Sequence, residues 1–221
     1  GVRALGVGGA GVGWADGLDY LNLNPAALLK LEGSEYGADL GTVLNGKASV
    51  FALRAAGSTR TGEKFAFSLE PLERRGPGAL SERKAVLALA LPLAGPRRGI
   101  GLAVKPLWAR GRPGLPSGGG YSVDFGAVSE WEFRNGRVLR AGAAWTDFAG
   151  VFRWTGGSKD EVPSWFTLGL GASPGRAAVA VLDAAFPASE DGSGSKRPVV
   201  RGGLEVRGLE ERVALRLGFE T

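Results

Sequence analysis

The sequence predicts an all-β protein: an antiparallel up-and-down transmembrane β-barrel that follows a short helical N-terminal plug segment. Three observations predict it. Roughly eleven segments after residue 35 alternate apolar with polar or small residues, the pattern of a strand with two different faces. Short turns alternate with longer polar loops, such as "RGRPGLPSGGG" at residues 110–120, and an up-and-down meander places the two kinds of connection at opposite ends of the barrel. Aromatic residues fall near the predicted strand ends, as they do in membrane barrels.

The composition narrows the possible functions. The chain has 221 residues with 38 Gly and 12 Pro, and 44% of its residues are hydrophobic, which suits a large β domain. It contains no Cys and no His, which excludes disulfides, thiolate metal sites and His-dependent catalysis. The formal charge of +5 comes from scattered basic residues, so we expect no nucleic-acid partner. We therefore expect neither an enzyme nor a metal or cofactor site.

Residues 1–34 are the predicted plug segment. In the stretch "NPAALLKL", Asn24 suits the N-cap of a short helix and Pro25 suits its first position, where the missing N–H costs nothing. Such a helix is too short to be stable alone, so its leucines must dock onto something. The predicted plug motif consists of Gly8, Gly9, Asp16, Asn24, Pro25 and Leu28.

The stretch "GVGGAG" at residues 6–11 satisfies the dinucleotide-binding pattern G-x-G-x-x-G. That pattern has its meaning only between a strand and a helix of a βαβ unit, and no parallel crossover follows it here. We instead expect glycines that pack closely against other backbone.

Residues 35–221 are the predicted barrel. In "ERVALRLGFE" the apolar face carries Val213, Leu215, Leu217 and Phe219, and the opposite face carries charge. Glu130 and Glu132 share a face as well; paired carboxylates can serve glycoside hydrolysis, but here a charged face is the better interpretation. The residues predicted to face the barrel interior are Lys64, Lys105, Asp124, Glu130, Glu132, Arg140, Asp183, Arg201, Glu205, Arg212 and Arg216.

Five aromatic residues are predicted to lie at the membrane interfaces. Trp108, Tyr121, Trp145 and Trp165 fall at the long-loop ends of their predicted strands, and Trp131 falls at a short-turn end. Alternation alone fits a soluble β-sandwich binding module equally well, with its apolar face turned inward. A sandwich predicts neither the loop asymmetry nor the aromatic placement, so the barrel is favoured.

The first 41 residues resemble a known N-terminus. "RALGVGGAGVGWADGLDYLNLNPAALLKLEGSEYGADLG" is similar to the start shared by FadL-type fatty-acid transporters and PorV/PorQ-like outer-membrane proteins. Three later stretches, "GGYSVDFGAV", "VPSWFTLGLGASPGRAAVAVLDAAF" and "RGGLEVRGLEERVALRLGFET", resemble PorV-like strands and hairpins. The residues that match at the N-terminus are Gly6, Gly8, Gly9, Ala10, Ala15, Asp16, Asn24, Pro25, Ala26 and Leu28.

The resemblance implies a bacterial outer-membrane barrel with its N-terminal segment tucked into the interior. Such barrels usually have about fourteen strands, so we expect this chain to be incomplete at its C-terminal side. We expect a non-catalytic scaffold of an envelope protein complex, with outer-membrane lipid and other envelope proteins as partners. The alternative is a FadL-like channel for hydrophobic small molecules, for which Gly126, Gly142 and Ala144 leave room on the interior face.

Overall fold

The structure, a computed structural model, describes residues 2–14, 17–43, 48–74, 80–93, 95, 97–111, 116–175, 177–188, 197–208 and 213–221. Within these residues, twelve strands form one antiparallel sheet in which almost every strand pairs with its neighbour along the chain. The predicted all-β, antiparallel, up-and-down architecture is confirmed.

Three short helical elements precede the sheet: α1 (Val2–Gly6) and the 3₁₀ helices η1 (Leu18–Tyr20) and η2 (Pro25–Lys30). The strands are β1 (Glu35–Val43), β2 (Ala48–Ser58), β3 (Lys64–Arg74), β4 (Leu80–Pro92), β5 (Arg98–Gly111), β6 (Ser117–Glu132), β7 (Val138–Trp154), β8 (Lys159–Glu161), β9 (Trp165–Gly175), β10 (Ala178–Pro187), β11 (Val199–Gly208) and β12 (Val213–Glu220).

Eleven of these strands follow the predicted alternating segments, and the three-residue β8 was not predicted. β8 pairs only with β7, and β7 continues the sheet by pairing with β9. β1 and β12 are the two end strands, and no ladder joins them within the described part of the chain. We call the end of the sheet where β2, β4 and β6 stop and β3, β5 and β7 start the turn end. The opposite end, where β5 stops and β6 starts, is the rim end.

The strands β5, β6 and β7 are longer than predicted, at 14, 16 and 17 residues. The glycine run before Tyr121, which we predicted as part of a loop, belongs to β6. Its glycines make room for β7, because a Cβ atom at Gly118 would lie 2.4 Å from the ring of Phe152. Some residues that the sequence predicted to lie in long loops therefore belong to strands that extend toward the rim end.

The two faces of the sheet differ in chemistry. The exposed face carries large apolar side chains, such as Leu102 with 40% of its surface exposed. The covered face carries small and charged residues: Ala103, the next residue on β5, is fully buried, and Lys105 is 4% exposed. This arrangement inverts that of a soluble sheet, in which the large apolar residues are the buried ones.

The N-terminal segment, residues 2–14 and 17–34, packs on the covered face. η2 contacts β3, β4, β5 and β6, η1 contacts β1 and β2, and α1 contacts both η1 and β12. One short segment thus reaches both end strands, so the sheet curves around it. One apolar cluster contains leucines of this segment and alanines of the strands, among them Leu28, Ala88 and Ala103.

No helix among the described residues combines the length and the hydropathy needed to cross a membrane.

Candidate functional site: the covered face and the N-terminal segment

Asn24 joins the N-terminal segment to the sheet. Its side-chain oxygen accepts the N–H of Ala26 at 3.0 Å, which is the predicted N-cap of η2, and Pro25 holds the predicted first position. Its amide donates to the carbonyls of Val12 at 2.9 Å and Ala127 at 3.2 Å. One fully buried side chain therefore ties together η2, the glycine-rich stretch and β6.

Glycines on the strands form the surface against which this segment lies. A Cβ atom at Gly101 would lie 2.3 Å from the backbone nitrogen of Ala26, and one at Gly142 would lie 2.2 Å from the carbonyl oxygen of Val12. Both distances are below any real Cβ contact, so only glycine permits the approach. The same holds against other residues of the segment for Gly99, Gly126, Gly169, Gly171, Gly203 and Gly218. The room that favoured a channel at Gly126 and Gly142 is filled by the chain itself.

Gly8 of the predicted plug motif lies against the end of the sheet. It has φ +71°, and a Cβ atom there would lie 2.6 Å from both the nitrogen and the oxygen of Phe219 on β12. Gly9 has φ +75° and lies beside the side chain of Arg201. The G-x-G-x-x-G pattern therefore reflects close packing of backbone on backbone, and it follows α1 rather than a strand.

Asp183 anchors the glycine-rich stretch. One of its carboxylate oxygens accepts the backbone N–H groups of Gly11 at 2.7 Å and Val12 at 2.9 Å. The residue is 1% exposed and lies on β10. A buried carboxylate with two such bonds fixes the backbone that passes over it.

Lys105 and Asp124 form a buried ion pair near the middle of the covered face. The Lys105 ammonium lies 2.7 Å from a carboxylate oxygen of Asp124 and 2.6 Å from one of Asp147. Asp147 has φ +57°, which is rare for a residue with a side chain, and its N–H donates to Asp124 at 2.7 Å. Ser122 donates to the Asp147 carboxylate at 2.7 Å. This network holds the bulge at which β7 shifts its register on β6.

A second network links the C-terminal end of η2 to the turn end. Glu130 lies 2.7 Å from the Lys30 ammonium and 2.5 Å from the Arg140 guanidinium. The guanidinium of Arg140 stacks over the ring of Trp14 at 4.2 Å. Burial lowers the pKa of Lys30, although its hydrogen bond to Glu130 opposes this effect.

A third network centres on Glu205 of β11, which is 2% exposed. Its carboxylate lies 2.9 Å from Arg3, 2.7 Å from Arg207 and 2.6 Å from Arg216. The pair with Arg3 ties α1 to the sheet, so this network holds the start of the segment as Asp183 holds its middle.

A fourth network lies on β2, β3 and β4, and it contains none of the residues predicted to face the interior. Glu70 lies 3.1 Å from Lys84 and 3.5 Å from Arg54, and the Asn22 amide donates to it at 2.8 Å. Arg54 also pairs with Asp39 on β1.

The remaining predicted interior residues are also placed. Lys64 donates to the carbonyl of Leu31 at 2.9 Å, and Arg201 pairs with Glu220 at 2.6 Å. Glu132 lies at the turn end, where it pairs with the exposed Arg97 rather than with the N-terminal segment. Two predicted residues, Asp16 and Arg212, lie outside the described residues.

The predicted aromatic positions agree with the structure only in part. Trp108 and Tyr121 are exposed toward the rim end, and Trp131 is exposed at the turn end. Trp145 is exposed but lies in the middle of β7, because β7 continues to Trp154. Trp165 shares the face of the buried Thr167, so it belongs to the covered face.

A cavity of about 570 Å³ lies on the rim side of the N-terminal segment. Leu72, Leu107, Phe152 and Trp154 give it a mostly apolar lining, and Glu70 and Lys84 lie at its wall. It has the size and lining of a small-molecule site.

No cluster of three or more metal-ligating side chains occurs within the described residues. Asp183, Glu205, Glu130, Glu70 and Lys64 contact the segment, and the Lys105 network joins strands. Comparisons with protein-family models, with curated proteins and with solved structures give no match. The resemblance to PorV/PorQ-like proteins stays a prediction.

Sequence reasoning missed Val12, Trp14 and Asn22, which contact the sheet from the segment. It also missed Asp147, which pairs with Lys105 at the point where β7 shifts its register on β6. A usable signal existed for the glycine surface, since Gly101, Gly126 and Gly169 all fall on the face opposite the large apolar residues.

Proposed function

We propose that this chain belongs to a membrane-embedded β-barrel, sealed by its own N-terminal segment, that acts as a non-catalytic scaffold in the bacterial outer membrane. The observation that carries the proposal is the distribution of side chains on the sheet. Large apolar residues lie on the exposed face of every long strand, while Lys105, Asp124, Asp183 and Glu205 are buried on the opposite face. In water this exposed apolar surface would be costly, whereas lipid solvates it.

The scaffold role is supported by how the segment fills the covered face. Glycines of β5, β7, β9, β11 and β12 contact its backbone, and Gly126 of β6 contacts the side chain of Asn24. Buried carboxylates on β10 and β11 hold it. A segment fixed by that many buried contacts acts as a permanent plug rather than a gate. Other envelope proteins are the proposed partners.

The cavity near the rim end favours a second candidate, the binding and transfer of a hydrophobic small molecule. Its apolar lining suits such a ligand, and its volume suits one of moderate size. Transfer through the barrel would then require the N-terminal segment to move.

The test of the membrane proposal is extraction and folding. The full chain should need detergent for solubility and should migrate faster on a gel before heating than after, because a folded barrel resists the gel detergent. Stable monomers in detergent-free buffer would contradict the proposal.

Reconstituted vesicles separate the two functions. A sealed scaffold admits no labelled fatty acid, and it co-purifies with a defined multi-protein complex. Uptake of the fatty acid by the wild-type chain that becomes faster when Asn24→Asp loosens the N-terminal segment would support the transfer function instead.

A further inference from the structure

A row of basic residues crosses five strands on the exposed face near the rim end. Arg83 of β4 lies opposite Trp108 of β5, which lies opposite Gly119 of β6. Gly119 in turn lies opposite Arg153 of β7, and Arg153 lies opposite Lys159 of β8. We call Arg83, Arg153 and Lys159 the basic row.

The basic row lacks the acidic partners that its charge needs. Arg153 and Lys159 face each other directly across the β7–β8 ladder, and like charges in that position destabilise a strand pair. Within the described residues neither side chain, nor that of Arg83, has an ion-pair partner. One acid, Glu161, lies on the same face of β8, and it pairs with neither of them. An anion bound at the row would remove this repulsion.

The surroundings of the row have the shape and chemistry of a lipid headgroup site. A groove of about 490 Å³ is lined by Arg83, Trp108, Arg110 and Ser117. A polar groove of about 360 Å³ is lined by Tyr121, Arg153 and Lys159 together with two acids, Glu161 and Asp147, and Asp147 pairs with Lys105. Gly119 lies between Trp108 and Arg153, and it has no side chain that would separate the two grooves. The apolar part of the exposed face begins nearer the middle of the sheet, where Val104 and Leu102 of β5 are exposed on the same face as Trp108.

We propose that the basic row binds the phosphate groups of a membrane amphiphile, whose acyl chains lie along Trp108 and the exposed face below it. The inference rests on the proposed membrane location. Guanidinium groups bind phosphate with two parallel hydrogen bonds, and Lys adds a third donor group. Three strand spacings separate Arg83 from Arg153, roughly 14 Å, so a headgroup with more than one phosphate can engage both sides of the row.

The test uses the full chain in micelles of a neutral detergent, with bound lipid counted by native mass spectrometry. The probes are phosphatidic acid, lipid A, phosphatidylcholine and inorganic phosphate. The test variant is Arg153→Gln/Lys159→Gln. The matched control is Arg134→Gln/Arg137→Gln, which removes two exposed arginines of the turn end without an ion-pair partner among the described residues.

We expect phosphatidic acid and lipid A to bind at least about tenfold more tightly than phosphatidylcholine, and the test variant to lose about that factor. The control variant should change the affinity by less than about twofold, since its arginines lie at the other end. Tighter binding of lipid A than of phosphatidic acid would identify a multiply phosphorylated headgroup, and the reverse order a single phosphate.

Equal losses in both variants, or no preference over phosphatidylcholine, would overturn the inference. Inorganic phosphate that binds as tightly as the lipids would overturn it too, because the site would then serve a soluble anion. Insertion of the wild-type chain into phosphatidylcholine vesicles tests the membrane location separately, so the two failures can be told apart.

Discussion

Gly126 lies directly against Asn24: a Cβ atom at Gly126 would come within 2.0 Å of the Asn24 side-chain oxygen. That oxygen is the cap of η2, so a glycine in the middle of β6 sets how the N-terminal segment begins its helix. The glycines of the covered face thus form a fitted surface, on which the N-terminal segment lies too close for any larger residue.

Gly126→Ala should destabilise the protein by displacing Asn24 from its cap. The added methyl cannot be accommodated without moving the segment, and overpacking of this kind costs about 1–3 kcal/mol. The free energy of unfolding from urea titration measures the effect. Gly208→Ala is the matched control, because a Cβ atom there meets nothing within 4 Å. Equal stability of the two variants would refute the fitted surface.

Asn24→Asp should be destabilising even though it keeps the helix cap. The carboxylate can still accept from Ala26, but it cannot donate to the carbonyls of Val12 and Ala127, which it then faces with a negative charge. Leaving buried polar groups unpaired costs about 1–3 kcal/mol each. Proteolysis of the N-terminal segment should become faster than in the wild type. Unchanged resistance to protease would mean that capping alone holds the segment.

Lys105→Met should be among the most damaging single changes on the covered face. It leaves the buried Asp124 without its cation, and breaking a buried pair costs about 3–5 kcal/mol. Adding Asp124→Leu should recover part of the loss, since the uncompensated charge is then gone. A double-mutant cycle in urea measures this coupling, and simple additivity of the two changes would contradict it.

Stability should rise with pH in the alkaline range through Lys30. Because burial lowers its pKa, the folded protein releases this proton at a lower pH than the unfolded chain, whose pKa is near 10.5. Between the two values the unfolded state binds more protons, so raising the pH favours the folded state. The unfolding free energy of the wild type minus that of Lys30→Met should therefore increase as the pH rises toward 10.5. A difference that stays constant with pH would contradict the effect.

The strands could be predicted from the sequence because alternation is local, and so could the cap at Asn24, since Pro25 and Ala26 follow it directly. The glycine run before Tyr121 was mistaken for a loop, because the packing of Phe152 over it is a contact between strands. The charged residues of the covered face were predicted, but their partners were not: pairing depends on register and on the path of the segment, which no local pattern specifies.

The substitution Leu102→Arg distinguishes a surface that faces lipid from a surface that faces water. An arginine in the middle of a lipid-facing strand costs about 2–4 kcal/mol in a bilayer, whereas on a surface in water it costs almost nothing. Unfolding titrations in lipid vesicles should show the larger loss. Arg134→Leu at the turn end is the control and should change little.

The most direct test of the central claim is lipid exposure of the apolar face, measured with single fluorescent labels. The chain contains no Cys, so Leu102→Cys, Leu168→Cys and Asn135→Cys each give one labelling site. In vesicles, labels at 102 and 168 should be quenched by spin-labelled lipid and protected from iodide in the buffer, and the label at 135 should respond to iodide. Quenching of the labels at 102 and 168 by iodide, without quenching by lipid, would show that this face lies in water and would contradict the account.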